Sequence, residues 1–191
     1  MYVQYRKTWM RARHACSRVA AGFLHNLSVI GRERRIIACG RNLFGECGRQ
    51  NVDYARLLSV SQLSSVVSVA AGDMFSLALT SKGEVFSWGC TLQGRLGYAR
   101  NEEVSHLPKR VVELSRIIRV SACGAYSLAL ASNGAVYEWG YVSEPDQMTC
   151  HPRLKQNLPN EAADPVVQVS VGFAHNMVLT EQGRVYSWGI A

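Results

Sequence analysis

The sequence predicts an all-β fold built from repeated four-stranded units, and three observations support this prediction. A segment of 14 residues, Phe75 to Trp88, recurs without a gap as Tyr126 to Trp139 and as His175 to Trp188. Corresponding positions lie 51 and then 49 residues apart. Each copy alternates bulky and small residues with period two and has a turn that contains glycine. A repeat period near 50 residues with such alternation is typical of radially repeated sheets.

The recurring segment predicts a hairpin. Phe75 to Thr80 places bulky side chains on one face of a strand and small ones on the other. A turn with Gly83 follows, because glycine supplies the positive φ that a tight turn needs, and Glu84 to Trp88 forms the second strand. Sheets with one bulky and one small-residue face can stack on each other as propeller blades do. The rings at Phe86 and Trp88 are expected in the core.

The remainder of each unit predicts two further strands. A turn-rich loop ends in Gly94 to Gly97, and an apolar run, Ile117 to Val120, leads into the next copy. Each unit thus offers about four short strands and almost no helix. The predicted fold is a β-propeller of four-stranded antiparallel blades, incomplete, with about three to four blades.

The repeats divide the chain into two regions. Residues 1–18 form a basic N-terminal arm, and residues 19–191 form the partial propeller, which opens with a weaker copy of the repeat. Counted from turn to turn, the repeats run over about 34–82, 83–133 and 134–182, with a truncated last unit at 183–191. An arc of blades leaves apolar faces uncovered. We therefore expect the chain to be a fragment, or an alternative product, of a longer protein.

The charge of the chain is concentrated at its start. The formal net charge is +7, and residues 1–35 hold eight Lys or Arg against one acid. The other 156 residues carry 13 basic and 13 acidic side chains, so the repeat body is neutral and gives no support to RNA or chromatin binding. Three interpretations of the arm remain open: a solvated arm or remnant repeat, a mitochondrial presequence, or a nucleic-acid arm.

The sequence shows no constellation of catalytic or metal-binding residues. It has no Gly-x-Ser-x-Gly, His-Glu-x-x-His or phosphate-loop motif, and its six cysteines include no Cys-x-x-Cys pair. These cysteines are expected to be small buried hydrophobes. We predict no covalent catalysis, no metal, no cofactor and no small-molecule substrate. No apolar run is long enough to span a membrane.

The motifs resemble those of the regulator of chromosome condensation repeat family. They are Gly72 to Leu79, Gly83 to Gly89 and Gly94 to Gly97, and the resemblance covers residues 19–191. It implies a seven-bladed propeller, of which this chain has about half. Arg41 to Arg49 and a degenerate repeat at Trp139 are similar to the mitochondrial exchange-factor-like branch. We expect an intracellular protein, with the mitochondrion and the cytoplasm or nucleus both left open.

Two functions fit this resemblance. The first is a non-enzymatic scaffold that binds a protein partner; the alternative is a guanine-nucleotide exchange factor, or part of one, for a small GTPase. The segment from Tyr141 to Pro165 departs most from the repeat, lacks the Gly-x-x-Gly pair, and is expected to project from the rim as a loop. The predicted partner-binding residues lie in it: Tyr141, Glu144, Asp146, His151 and Arg153.

Overall fold

The fold consists of four antiparallel sheets, seen in a computed structural model that describes residues 18–60, 62–98, 103–141, 148–158 and 164–189. Each sheet is formed by strands that follow one another along the chain. The first three sheets have four strands, and the fourth has three within the described residues. The predicted all-β fold of four-stranded antiparallel blades is confirmed. No helix in the described part of the chain is long and apolar enough to cross a membrane.

The strands of the four blades have the following bounds. Blade 1 contains β1 Arg18–Ala21, β2 His25–Ile30, β3 Arg35–Arg41 and β4 Tyr54–Ser59. Blade 2 contains β5 Val66–Ala71, β6 Phe75–Thr80, β7 Val85–Cys90 and β8 Val104–Arg110, with a short 3-10 helix at Leu92–Gly94. Blade 3 contains β9 Ile117–Cys123, β10 Tyr126–Ala131, β11 Val136–Tyr141 and β12 Met148–Leu154. Blade 4 contains β13 Val166–Val171, β14 His175–Thr180 and β15 Val185–Gly189.

The blades stack in chain order around a common axis. β5 packs against β1 and β2 of the preceding blade, β9 packs against β5 and β6, and β13 packs against β9 and β10. The innermost strand of each blade is therefore its first strand. A blade begins at this strand, whereas the periods counted from the sequence begin at the hairpin turn between its second and third strands.

The hairpin turns form as the repeat predicts. Gly83, Gly134 and Gly183 occupy the same turn position and have φ values of 75°, 83° and 83°. This left-handed backbone region strains any residue with a Cβ atom. In blade 1 the turn is longer, and its positive φ values fall on Gly31 at 72° and Arg34 at 52°.

Neighbouring blades pack bulky face against small face. Leu77 and Leu79 of β6 share a buried cluster with Ala129 and Ala131 of β10. Between blades 1 and 2, a similar cluster contains Leu27 of β2 and Ala78 of β6. A small side chain lets the next sheet approach closely, and the bulky side chains then lose their contact with water. This arrangement confirms the predicted stacking.

A second link between blades was not predicted from the sequence. The indole N–H of Trp88 donates to the carbonyl of Glu46 at 2.9 Å, and that of Trp139 donates to the carbonyl of Arg95 at 3.0 Å. Both acceptors belong to the Gly-x-x-Gly loop of the preceding blade. Both tryptophans are fully buried. Each buried indole therefore joins its own blade to the outer loop of the one before it.

Within the described residues, the fourth blade lacks this link. The indole nitrogen of Trp188 is buried without an acceptor of this kind, although the Tyr126 hydroxyl lies near it. Burial raises the pKa of the Tyr126 hydroxyl, and so does its hydrogen bond to the carboxylate of Glu138. Lys155 pairs with the other carboxylate oxygen of Glu138 at 3.3 Å. A polar cluster thus lies between blades 3 and 4. Blade 3 is the blade whose sequence has no Gly-x-x-Gly pair.

The prediction that residues 141–165 project as one loop is wrong for part of this segment. Residues 148–154 form β12, the outer strand of blade 3, which pairs with β11 from Tyr137↔Leu154 to Tyr141↔Met148. The unusual sequence of this stretch, including Pro152, is tolerated because an outer strand has an unpaired edge. The segment therefore completes a blade as well as connecting strands.

Replacing Trp139 by Phe should destabilise the fold more than the same change at Trp188. Trp139→Phe leaves the buried Arg95 carbonyl without its donor and opens a small cavity, which costs roughly 2–3 kcal/mol. Trp188 is half-buried, and its indole makes no hydrogen bond to a backbone carbonyl of the described residues. Trp188→Phe should therefore lower the free energy of unfolding by less than about 1 kcal/mol. Urea denaturation of both variants gives the two changes in unfolding free energy, and equal losses would contradict the assigned role of the indole.

Candidate protein-interaction surface

The predicted partner-binding residues lie on two separate parts of blade 3. Tyr141 ends β11 and is half-exposed, at the entry to the loop that leads to β12. His151 and Arg153 lie on β12 at the outer edge, where Nδ1 of His151 contacts Oε1 of Glu113 at 2.7 Å. Glu144 and Asp146 lie outside the described residues. The structure therefore does not gather Tyr141, His151 and Arg153 into one cluster.

One face of the propeller exposes more apolar side chains than the sequence analysis suggested. Antiparallel strands alternate in direction, so the loops after the first and third strands of every blade emerge on the same side. We call this side the loop face. Among the described residues, its most exposed apolar side chains are Phe23, Leu24, Leu43, Leu92 and Phe173. Phe23 is 66% exposed and Phe173 is 83% exposed, so neither ring contributes to the core.

Backbone hydrogen bonds fix the centre of the loop face. The N–H of Phe23 donates to the carbonyl of Gly72 at 3.3 Å, and the N–H of Asp73 donates to the carbonyl of Gly124 at 2.9 Å. The ring of Phe173 lies beside Gly124, with 3.8 Å between the ring and the place where a Cβ would be. The loops of blades 1, 2 and 3 are thus linked by backbone hydrogen bonds, so Phe23 projects from anchored backbone, whereas Phe173 of blade 4 meets the loop of blade 3 through its ring.

A buried network supports the loop face from below. The carboxylate of Glu46 is inaccessible to solvent, accepts from Nε of Arg41 at 3.0 Å and accepts from the N–H of Phe44 at 2.7 Å. Its backbone carbonyl accepts from Oγ of Ser76 at 2.7 Å as well as from the indole of Trp88 at 2.9 Å. A buried charge with this many partners rigidifies the loop around it. The loop that carries Leu43 is therefore well anchored.

The histidine in this network is not a catalytic base. Nε2 of His25 lies 2.9 Å from Oγ of Ser76, whose single hydroxyl proton is donated to the Glu46 carbonyl. His25 must therefore donate to Ser76, which is the reverse of the proton transfer that activates a serine nucleophile. Burial lowers the pKa of His25 from 6.5 to about 4, so the ring is neutral near pH 7. The described residues also contain no cluster of three potential metal ligands.

The charges beneath the loop face have both signs. Arg95 is buried, and its guanidinium donates through Nε to the Leu92 carbonyl at 2.8 Å and to the side chain of Gln93. Burial lowers the pKa of Arg95, and the nearby carboxylate of Asp73 acts in the opposite direction. With Arg41 already paired to Glu46, the described part of the loop face shows no basic excess. This agrees with the neutral repeat body and favours a protein partner over nucleic acid.

The sequence contains only a weak indication of the exposed apolar residues on the loop face. Phe23 and Phe173 follow a glycine at the same repeat position, where blade 2 has Asp73. A phenylalanine in a turn, at a position that holds a charged residue in another copy, is unnecessary for folding. Comparison between copies could have found these two rings, but exposure of Leu43 and Leu92 depends on loop conformations that the repeat pattern does not specify.

Two family models match the chain, both described as "Regulator of chromosome condensation (RCC1) repeat". One matches residues 66–95 and 166–190, and the other matches residues 82–130. The matched segments contain all four strands of blade 2, the first strand and most of the second strand of blade 3, and the three strands of blade 4.

Relatives of known name share the repeat region. The chain is 36% identical over 127 residues to "Probable E3 ubiquitin-protein ligase HERC6" of Homo sapiens, a match to 63% of this chain and 12% of that protein. It is 33% identical over 131 residues to "RCC1-like G exchanging factor-like protein" of Homo sapiens, covering 64% of this chain and 28% of the relative. The chain therefore spans well under a third of either relative.

A solved structure shares the fold. Human WBSCR16 superposes with a TM-score of 0.78 at 28% sequence identity, over 90% of this chain and 46% of that one. The chain thus corresponds to a little under half of the length of that protein. The similarity to an exchanging-factor-like relative and to a ligase does not distinguish between branches, and the mitochondrial branch stays a prediction.

The buried His25 should make stability fall as the pH drops. Because the folded-state pKa is about 4 and the unfolded value is 6.5, the unfolded chain binds a proton first, between these two pH values. Above pH 6.5, His25 therefore does not lower the free energy of unfolding. Between pH 6.5 and 4, protonation of His25 in the unfolded chain lowers the free energy of unfolding by about 3 kcal/mol. His25→Phe, which copies Phe75 at the same repeat position, should lack this component.

Urea denaturation between pH 7.5 and 4 measures the effect as the difference between wild type and His25→Phe. Replacement of the exposed Val112 by Ala is the control, because it neither adds nor removes a titratable group. Parallel profiles for wild type and His25→Phe would contradict the assignment.

Proposed function

Because the chain belongs to the regulator of chromosome condensation repeat family, we propose that it is a non-enzymatic interaction propeller that binds a protein partner on its loop face. The observation that carries this proposal is the group of exposed apolar side chains around the anchored centre of that face, led by Phe23 and Phe173. Such side chains expose apolar area to water without contributing to the core. Exposed aromatic residues on a rigid backbone are typical of binding surfaces.

The partner should present an apolar segment with few charges. Phe23, Leu24 and Phe173 offer aromatic and aliphatic contacts, and the half-buried carboxylate of Asp73 lies among them. Large rings desolvate readily and lose little side-chain entropy on binding. An apolar protein loop or strand matches this surface better than a polyanion.

We propose that three of the partner-binding residues predicted from the sequence extend this surface. Tyr141 is exposed where β11 reaches the loop face. Glu144 and Asp146 follow it in the chain, before Met148, and we propose that they add specificity at the rim of the interface. His151 and Arg153 lie on β12, and we propose that they contact only a partner large enough to reach the outer edge.

The alternative function is guanine-nucleotide exchange on a small GTPase. Its specific support is the 33% identity to a protein named as exchanging-factor-like, of which the chain spans 28%. Exchange requires a surface that binds a GTPase conformation with weak nucleotide affinity, and it does not require a reactive side chain. The loop face can serve this purpose with the same residues.

We propose an intracellular location. The five cysteines of the described residues, among them the buried Cys47 and Cys90, are all free. Free thiols persist in reducing compartments, whereas secreted domains usually oxidise them. This argument does not choose between mitochondrion, cytoplasm and nucleus.

Substituting either exposed phenylalanine should weaken partner binding by about tenfold or more, because each truncation removes an aromatic anchor from the interface. Phe23→Asp and Phe173→Asp are compared with Val112→Asp, an equally exposed apolar position in the connection between β8 and β9 on the opposite face. Proteins captured from cell extract are quantified for each variant, and their affinities are then measured with purified components.

The result expected is a set of partners lost from both phenylalanine variants and retained by Val112→Asp. Thermal unfolding of the three variants checks that all remain folded. Partners retained by both phenylalanine variants would contradict the proposed surface.

A nucleotide-release assay tests the alternative. Small GTPases loaded with a fluorescent GDP analogue are mixed with the chain, and exchange activity predicts a release rate raised at least tenfold, an increase that Phe173→Asp should remove. No acceleration at high concentration of the chain would exclude exchange by residues 1–191 while leaving the interaction function intact.

A further inference from the structure

Blade 1 has a cleft at the place that a tyrosine fills in blade 2. In blade 2, Tyr98 directly follows the Gly-x-x-Gly loop, is 9% exposed, and shares a buried cluster with Val111. Blade 1 has the exposed Arg49 at the position of this tyrosine. A cleft of about 500 Å³ opens there, and Val60, the counterpart of Val111, lies in its wall. The cleft thus occupies the space of a missing aromatic ring.

The cleft lies on the side of blade 1 opposite the loop face. Its lining includes Arg35 at the start of β3 and Ser59 at the end of β4, and both of these strand ends lie on that side. The Gly-x-x-Gly loop reaches the same place, because a Cβ atom at Gly48 would lie 2.9 Å from Cγ1 of Val60. Arg49, the next residue, therefore brings a second guanidinium group to the cleft.

The position of the cleft within its blade makes it accessible. In the pairing of the third and fourth strands, Arg110 of blade 2 stands where blade 1 has Ser59, and Glu84 stands where blade 1 has Arg35. Blade 2 has a neighbour on each side, and yet the side chains of Glu84 and Arg110 remain 27% and 46% exposed. A neighbouring blade therefore leaves this part of the rim open.

The cleft presents hydrogen-bond donors and positive charge. Side chains that can donate hydrogen bonds line it: Arg35, Arg49, Ser59, Gln62 and Ser64. Among the described residues, Arg49 makes no ion pair, and Arg35 pairs at 2.6 Å with Glu33, which is also exposed. Such an exposed pair contributes little to stability, so an anion can displace Glu33. Since blade 2 has a glutamate and a tyrosine at the two arginine positions, folding does not require this charge.

We propose that this cleft binds the phosphorylated tyrosine side chain of a protein partner. A phosphate monoester carries a charge of about −1.5 to −2 at pH 7, which the guanidinium groups of Arg35 and Arg49 match, and each can donate two parallel hydrogen bonds to it. The ring of the ligand takes the place that Tyr98 fills in blade 2. The volume of the cleft is within the range of about 300–1,000 Å³ that is typical of ligand pockets. This site is separate from the loop face.

Selection from peptide libraries tests the proposal. The chain of 191 residues is immobilised and offered peptides with random flanks around a central phosphotyrosine, phosphoserine or unmodified tyrosine. Phosphotyrosine peptides should be retained, and fluorescence anisotropy should show that they bind about tenfold or more tightly than their phosphoserine and unmodified forms. Equal binding of the phosphoserine forms would overturn the contact with the ring. Failure to retain any phosphotyrosine peptide would overturn the proposal.

Arg49→Tyr is the most informative variant, because it copies Tyr98 of blade 2. It should weaken binding of a selected phosphotyrosine peptide by about tenfold or more, while its thermal unfolding temperature stays at or above that of the wild type. Arg35→Gln and Arg49→Gln remove charge without filling the cleft, and they should weaken binding by a similar factor. Arg119→Gln, which changes an exposed arginine of β9, is the matched control and should bind as the wild type does.

Phe173→Asp separates this site from the loop face. It should retain the phosphotyrosine peptide even where it loses the partners of the loop face, so the two proposals can fail independently. Unchanged peptide affinity in Arg35→Gln and Arg49→Tyr would place the peptide elsewhere and overturn the site. An equal loss of affinity in Arg119→Gln would also overturn it, because general electrostatic attraction would then explain the binding.

Discussion

The structure depends on one interface that recurs between successive blades. Bulky side chains such as Leu77 and Leu79 are buried only because the next sheet offers Ala129 and Ala131 at the facing positions. The indole of Trp139 adds a directed hydrogen bond from that next sheet back to the preceding one. No single blade of this size can bury both of its faces, so stability depends on neighbours. Gly83 and the other turn glycines matter because they set the strand positions that bring these faces together.

This dependence explains where functional residues can lie. Positions within the strands are committed to packing, and even the His25–Ser76 pair supports a loop without doing chemistry. Only the loops and the outer edges are free to vary. The exposed ring of Phe23 stands on backbone that the neighbouring blade holds by a hydrogen bond, and the ring of Phe173 lies beside Gly124 of the neighbouring blade. These contacts give the loop face the rigidity that selective binding needs.

Much of the fold could be predicted because each copy of the repeat alternates bulky and small residues, which indicates directly how the sheets pack. The alternation in Phe75 to Thr80 and the glycine at position 83 specify a hairpin with two unlike faces. The acceptor of the Trp139 indole could not be predicted, since a hydrogen bond between residues 44 apart depends on how two sheets dock. β12 was missed because an outer strand needs little hydrophobic alternation, and the proline at 152 suggested a loop. Of the proposed interaction surface, the sequence analysis predicted Tyr141, whereas the exposure of Leu43 and Leu92 follows from loop conformation.

The account's central claim is that cover from both neighbours stabilises each blade, and amide hydrogen exchange tests it most directly. Within the described residues, blades 2 and 3 are packed on both sides, whereas blade 4 is packed on one side only. The slowest exchange should therefore occur in β6, β7 and β10, and exchange in β14 and β15 should be faster by at least an order of magnitude. Equal protection across all four blades, or the strongest protection in blade 4, would contradict the claim.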